Sequence, residues 1–176
     1  MRLQITLFTL LLLMGQSLFA QMPKNDDKEF EYTGEADVRR AGAGDLVKRL
    51  GKWGTEYFAD AMALHVAIDD STERFVEIDV TEQLVEMHFG VNRTHKDRSI
   101  RYHLKFDTER KSYAYWINDF HYKALEIDHK NREENHDDLL SEIKSAATKS
   151  LEEEMHARML GVIESFKEAA EAEIEE

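Results

Sequence analysis

Cysteine is absent from all 176 residues, and proline occurs once. The first absence excludes disulfides, thiol redox chemistry and a lipid-anchor cysteine, so the chain must hold itself together by packing. Catalytic signatures are missing as well. There is no Gly-x-Ser-x-Gly, no glycine-rich phosphate loop and no His-Glu-x-x-His. Carboxylate pairs such as Asp69-Asp70 and Asp137-Asp138 fall in a polar turn or at an expected helix start, where they cap and solvate. The reading is a non-enzymatic chain with no cofactor. Positive charge is also scarce: 23 Lys and Arg stand against 36 Asp and Glu, a formal net charge of −13. From Arg132 to Glu176 there are 14 acidic and 5 basic residues, net −9. Such a field repels phosphate backbones and argues against nucleic acid as a partner.

A long apolar run occurs in one place. Arg2 supplies a short positive start, Leu3 to Met14 is mostly apolar, and Ser17-Leu18-Phe19-Ala20 ends on a small residue. Residues 1–20 read as a secretory signal peptide, too short and too weakly flanked for a transmembrane span. No other segment is apolar enough to cross a bilayer. The expectation is export to the periplasm or exterior of a bacterium, with cleavage after Ala20. The remaining 156 residues suit one ordinary domain. Residues 21–27 read as a flexible leader, 28–170 as the folded domain and 171–176 as a frayed acidic tail.

The strongest local pattern runs from Ile100 to Tyr122, where two arms alternate with period two and are rich in aromatic and β-branched residues. A turn at Asp107–Arg110 predicts a hairpin in which Leu104 faces Tyr113, Tyr102 faces Tyr115 and Ile100 faces Ile117, all on one apolar side. The other side carries Arg101, His103, Lys105, Ser112, Ala114 and Trp116. Glu29–Thr33 reads as a first strand. Leu46, Val47, Leu50, Trp53, Tyr57 and Phe58 then form a helical stripe. Gly51 and Gly54 on that helix suggest a close approach to a sheet, since each costs about 1 kcal/mol against alanine. Met62–Ile68, Val76–Val80 and Val85–Val91 alternate, with a bend near Glu82 and a charged loop from Asn92 to Ser99. A phase change at Asn118-Asp119 predicts a bulge. Asp128–Asp138 reads as a charged loop. A second helix is expected from about Asp137, with Leu140, Ile143, Ala147, Leu151, Met155, Met159, Val162 and Phe166 packing in cis on the apolar side of the sheet. The order β-α-β-β-β-β-α gives an α+β two-layer sandwich, an antiparallel meander covered on one face by helices.

This register places His88 across from His103 and Glu86 across from Lys105 on the polar face. Two imidazoles on adjacent strands suit zinc or copper, but no third ligand is identifiable, so His88 and His103 are a weak metal candidate and a solvated face is the default. Arg101 is expected opposite Trp116, either as a stacking platform or as a local cap on an exposed indole. Tyr102, Tyr113, Tyr115 and Phe89 either line a pocket for a small apolar ligand or are core. His121, His129, His136 and His156 show no metal spacing.

Trp53 on its aromatic helix, the meander, and the run from Phe106-Asp107-Thr108-Glu109-Arg110-Lys111 to Asn118-Asp119-Phe120 resemble a bacterial family of exported domains of unknown function. The resemblance covers about Glu29 to Phe166. It implies a TATA-binding-protein-like (TBP-like) fold and an export route, and no activity. The turn departs from that family's Asp-Gly pattern, having no glycine. A fold name does not import DNA binding, because function lives in the site. The functional expectation is an exported binding module for a protein or cell-envelope component, with a carrier of a small apolar ligand as the alternative and the oligomeric state left open.

Overall fold

The computed structural model describes residues 22–39, 41–71, 74–85, 87–89, 93–143 and 148–172. The expected signal segment, Glu86, Ala147 and residues 173–176 lie outside the described residues. The elements are β1 (Tyr32–Asp37), α1 (Ala43–Tyr57), β2 (Ala63–Asp69), β3 (Phe75–Gln83), β4 (Met87–Phe89), β5 (Arg93–Glu109), β6 (Ser112–Asp128), β7 (Glu133–Leu139), a 3-10 turn at Leu140–Glu142, and α2 (Thr148–Glu171). The strands form one antiparallel sheet in the order β1-β6-β5-β3-β2, with β4 also paired to β5 and β7 to β6.

Both long strands owe their shape to two one-residue bulges. Beyond Arg101↔His121 the next pair is His103↔Asn118, which leaves Asp119 as the extra residue of β6 at φ 55°. Between Lys96↔Leu125 and Ser99↔Lys123 the extra residue is on β5, around Asp97 at φ 48°. Each bulge flips the alternation of one strand. The inward series on β6 therefore passes from Tyr113, Tyr115 and Ile117 to Phe120, Tyr122 and Ala124, all buried. On β5 it passes from Phe106, Leu104, Tyr102 and Ile100 through Arg98 to His95.

The structure corrects several registers and keeps the faces. The β5–β6 turn is Arg110-Lys111, with Lys111 at φ 70°, and Leu104 pairs with Ile117 and Phe106 with Tyr115. The slip from the expected register is an even number of residues, so the same side chains stay inward. The long strand expected from Val76 to Val91 divides at Leu84-Val85 into β3 and β4; β3 pairs with Ser99–Asp107 of β5, and β4 pairs with Arg93–His95 rather than with Ile100–Leu104. Arg93–Ser99, read as a loop, is the start of β5. Residues 22–30, mostly read as a leader, are tied down by a Lys24↔Phe30 bridge, with Met22 and Phe30 buried.

The charged stretch read as a loop contains β7. It is reached through a turn in which the Asp128 carboxylate accepts the backbone N–H of Lys130 at 2.8 Å and of Arg132 at 2.9 Å. These donors hold that carboxyl well below the usual range, down to about 2. As an outer strand rich in carboxylates, β7 discourages further pairing. Helix α2 consequently does not start at Asp137 and is described from Thr148, and Leu140 is buried from the 3-10 turn.

Helix α1 approaches the sheet closely at its two glycines. A Cβ on Gly54 would lie 2.3 Å from Ile78 Cδ1, and one on Gly51 would lie 2.4 Å from Ile68 Cδ1. Ile78 is fully buried and cannot yield, whereas Ile68 is half exposed and can rotate away. Gly54→Ala is expected to destabilise, while Gly51→Ala is expected to be neutral or to gain up to about 1 kcal/mol from helix propensity. Urea unfolding of the two variants checks this, and equal effects would contradict the difference in close approach.

Helix α2 lies over the inward face. Leu151, Met155, Met159, Val162, Phe166 and Ala170 are buried along its length. Polar contacts fix its position. Arg158 forms a two-pronged bond to Glu82, at 2.9 and 2.6 Å, and Tyr102 donates its hydroxyl to the same carboxylate. His156 Nδ1 meets the Tyr32 hydroxyl at 2.8 Å, and Trp53 Nε1 donates to Ser165 Oγ at 2.9 Å. Arg49 donates to the Ala170 carbonyl at 2.7 Å near the end of the helix. The cis packing expected for this helix is what the structure shows from Leu151 onward.

Candidate functional site

With both helices on one side, the other face of the sheet has no helix over it among the described residues. Here β2, β3, β5 and β6 present rows of side chains. One row reads His65, Asp79, His103 and Asn118, and the next reads Ala67, Glu77, Lys105 and Trp116. Asp79 sits between two imidazoles, 2.9 Å from His103 Nδ1 and 3.6 Å from His65 Nδ1. Trp116 is half-buried and borders a shallow groove of about 280 Å³ with His103, Lys105, Asp107 and Asn118. The bulge residue Asp119 reaches His121 Nε2 at 3.0 Å and Arg101 Nη2 at 3.7 Å.

Two expected pairings on this face are not formed. His88 pairs with Thr94, and His103 lies between Asp79 and Asn118, so the two histidines are not cross-strand neighbours. Arg101 lies between Thr81 and His121, and Trp116 between Lys105 and Thr33, so no Arg101–Trp116 pair exists. The moved turn and the Asp119 bulge account for the second shift, and the first arises because β3, not β4, lies beside His103. The expected Glu86 partner of Lys105 lies outside the described residues; Lys105 Nζ is 3.5 Å from Asp107 Oδ1.

The tyrosines considered as pocket lining are core. Tyr102, Tyr113 and Tyr115 are at most 7% exposed. Phe166 meets Tyr115 and Tyr113 edge-on at 4.8 and 6.1 Å, and Tyr102 stacks on Phe120 at 5.7 Å. Phe89 pairs with Arg93 rather than with Tyr102.

A second constellation was missed by the sequence reading. At the far end of the inward face, His95 on β5, Glu126 on β6 and His136 on β7 converge. His95 Nε2 is 3.0 Å and His136 Nε2 3.4 Å from Glu126 Oε2, and the two imidazoles stack at 5.4 Å. His95 Nδ1 meets the Tyr122 hydroxyl at 3.0 Å, and Arg98 Nε donates to that same oxygen at 3.0 Å. The fully buried Arg98 also donates to the Val85 carbonyl and to Glu154 on α2, the latter at 3.1 Å. Burial pushes the His95 ring below the ordinary imidazole value, against the opposite pull of Glu126. The signal available in the sequence was a carboxylate at Glu126 in phase with Phe120, Tyr122 and Ala124, where another apolar residue belongs.

Helices confined to one face of a twisted antiparallel sheet define a two-layer α+β protein. Comparison with solved structures places it more narrowly. The chain is similar to a TBP-like protein from Parabacteroides distasonis, with a TM-score of 0.62 at 10% identity, covering 84% of this chain and 96% of that one. It is also similar to a DUF4468 family protein from Bacteroides ovatus, with a TM-score of 0.61 at 8% identity, covering 88% and 92%. At such identities the likeness shows the fold, which is TBP-like. No family model and no curated protein matches the sequence. Neither solved neighbour is named for an activity.

Proposed function

We propose that this chain is an exported, non-catalytic binding module that holds a protein of the cell envelope against the helix-free face of its sheet. The observation that supports this most is Trp116 at the groove bounded by His103, Lys105, Asp107 and Asn118. A half-buried indole ringed by charge of both signs is the kind of anchor that carries binding energy at protein interfaces. Lys105 and Arg101 beside Glu77, Asp79 and Asp119 offer paired contacts rather than the single-sign field that nucleic acid needs. The net charge of −13 favours a basic partner. The apolar first twenty residues support delivery to the envelope.

A photo-crosslinking residue placed at position 116, and separately at the exposed Glu168 of α2, tests the reading in the native cell. The expected result is a discrete adduct to an envelope protein from position 116 alone, carried by a mature chain that begins at Gln21. Adducts from both positions or from neither would contradict the assigned face. An intact Met1 in the cytoplasm would contradict the export.

A further inference from the structure

We propose that His95, Glu126 and His136 form a binding site for one divalent late transition metal ion of the zinc class, with a coordination position left open. Nothing in the protein-binding role requires this site, which lies on the opposite face of the sheet from Trp116. The donor atoms of the three residues all lie within 4.8 Å of one another. Ligands at about 2.0–2.2 Å from a tetrahedral zinc stand roughly 3.3–3.6 Å apart. The 3.0 and 3.4 Å separations to Glu126 Oε2 are close to that spacing.

The atoms around the three donors have the arrangement a metal site needs. His136 Nε2 is buried and has no hydrogen-bond partner among the described residues, although Glu126 Oε2 lies 3.4 Å away. A buried ring nitrogen left without a hydrogen bond is costly, and coordination would satisfy it. Its other nitrogen, Nδ1, faces Asp138 Oδ2 at 3.5 Å, and His95 Nδ1 meets the Tyr122 hydroxyl. Metal-ligating histidines are oriented by such outer partners, a carboxylate or an oxygen on the far nitrogen. The nearby Arg98 cation opposes metal charge, but Glu154 pairs with it at 3.1 Å. Two imidazoles with one carboxylate select zinc, copper or nickel over magnesium and calcium, which prefer all-oxygen sites. Three protein ligands leave a fourth position for water or a ligand, and His136 on the outer strand is the most exposed of the three.

The test is calorimetry with zinc chloride on the chelator-stripped mature chain at pH 7.5. The expected result is one ion per chain with a dissociation constant below about 1 μM. Glu126→Gln keeps the shape and removes the charge, and His136→Gln alters the outer strand alone. Each is expected to weaken zinc binding by at least about tenfold. His65→Asn, on the opposite face, is expected to leave it unchanged. Circular dichroism establishes that the metal-free variants are folded; if Glu126→Gln fails to fold, His136→Gln decides. X-ray absorption on the loaded chain should show two imidazoles and oxygen at about 2.0–2.2 Å. A dissociation constant above a micromolar, or one that neither substitution weakens tenfold, overturns the assignment.

Discussion

Phe166→Ala is expected to cost about 3–5 kcal/mol, the range for deleting a fully buried aromatic ring. Against a total of roughly 5–15 kcal/mol, that is a large share of the protein's stability. Phe166 is fully buried. Its ring meets Tyr115 at 4.8 Å, Phe106 at 5.0 Å, Trp53 at 5.7 Å and Tyr113 at 6.1 Å, all edge-on. One side chain thus joins α2 to β5, β6 and α1. Its removal leaves a cavity that four other rings cannot close without leaving their own packing. Thermal unfolding should show a midpoint lower by on the order of 10 °C. Glu168→Lys, exposed on the same helix, is expected to stay within about 0.5 kcal/mol of wild type. A Phe166→Ala protein that melts with the wild type would show that α2 does not carry the core.

Arg98→Met is expected to be harmful as well, by about 1–3 kcal/mol, because it strips a donor from the buried Tyr122 hydroxyl and partners from the part-buried Val85 carbonyl and Glu154 carboxylate. The guanidinium satisfies the Tyr122 hydroxyl, the Val85 carbonyl and Glu154, and it is 1% exposed. Methionine fills the volume but donates nothing. Glu154 is one-third exposed and retains water, so Glu154→Gln alone is expected to cost less than half as much as Arg98→Met. The double variant Arg98→Met/Glu154→Gln should be more stable than the sum of the single effects predicts, because contacting partners are not additive. Chemical denaturation of the four proteins checks this. Strict additivity would mean that Arg98 and Glu154 do not act as a pair.

The faces of the sheet were legible because alternation survives an even slip in register. Leu104, Tyr102 and Ile100 point inward whether they meet Tyr113, Tyr115 and Ile117 or, as observed, residues further along β6. The turn itself was not legible, since Lys111 adopts φ 70° where glycine or asparagine is the usual signal. The bulge at Asp119 announced itself as a phase change between Ile117 and Phe120. The one near Asp97 did not, because it separates two polar inward residues, Arg98 and His95, that break the apolar pattern. Strand β7 was invisible for a similar reason: Glu-Glu-Asn-His-Asp-Asp-Leu has no apolar alternation to read. The candidate metal cluster depends on both of these unread features, so its three residues, 31 and 10 positions apart, gave no sequence spacing. Trp116 was singled out on the correct face, but its neighbours depend on register and came out differently.

One face of the sheet is buried by α2 as an integral part of the fold, and the binding proposed for this chain is assigned to the opposite face. Native-state hydrogen exchange tests it most directly. If α2 is a structural layer, the amides of Met155 to Phe166 exchange only through global unfolding, with the same free energy as the amides of β5 and β6 around Leu104 and Ile117. If those helical amides exchange several kcal/mol more easily than the strands, α2 is a detachable arm and the account is contradicted.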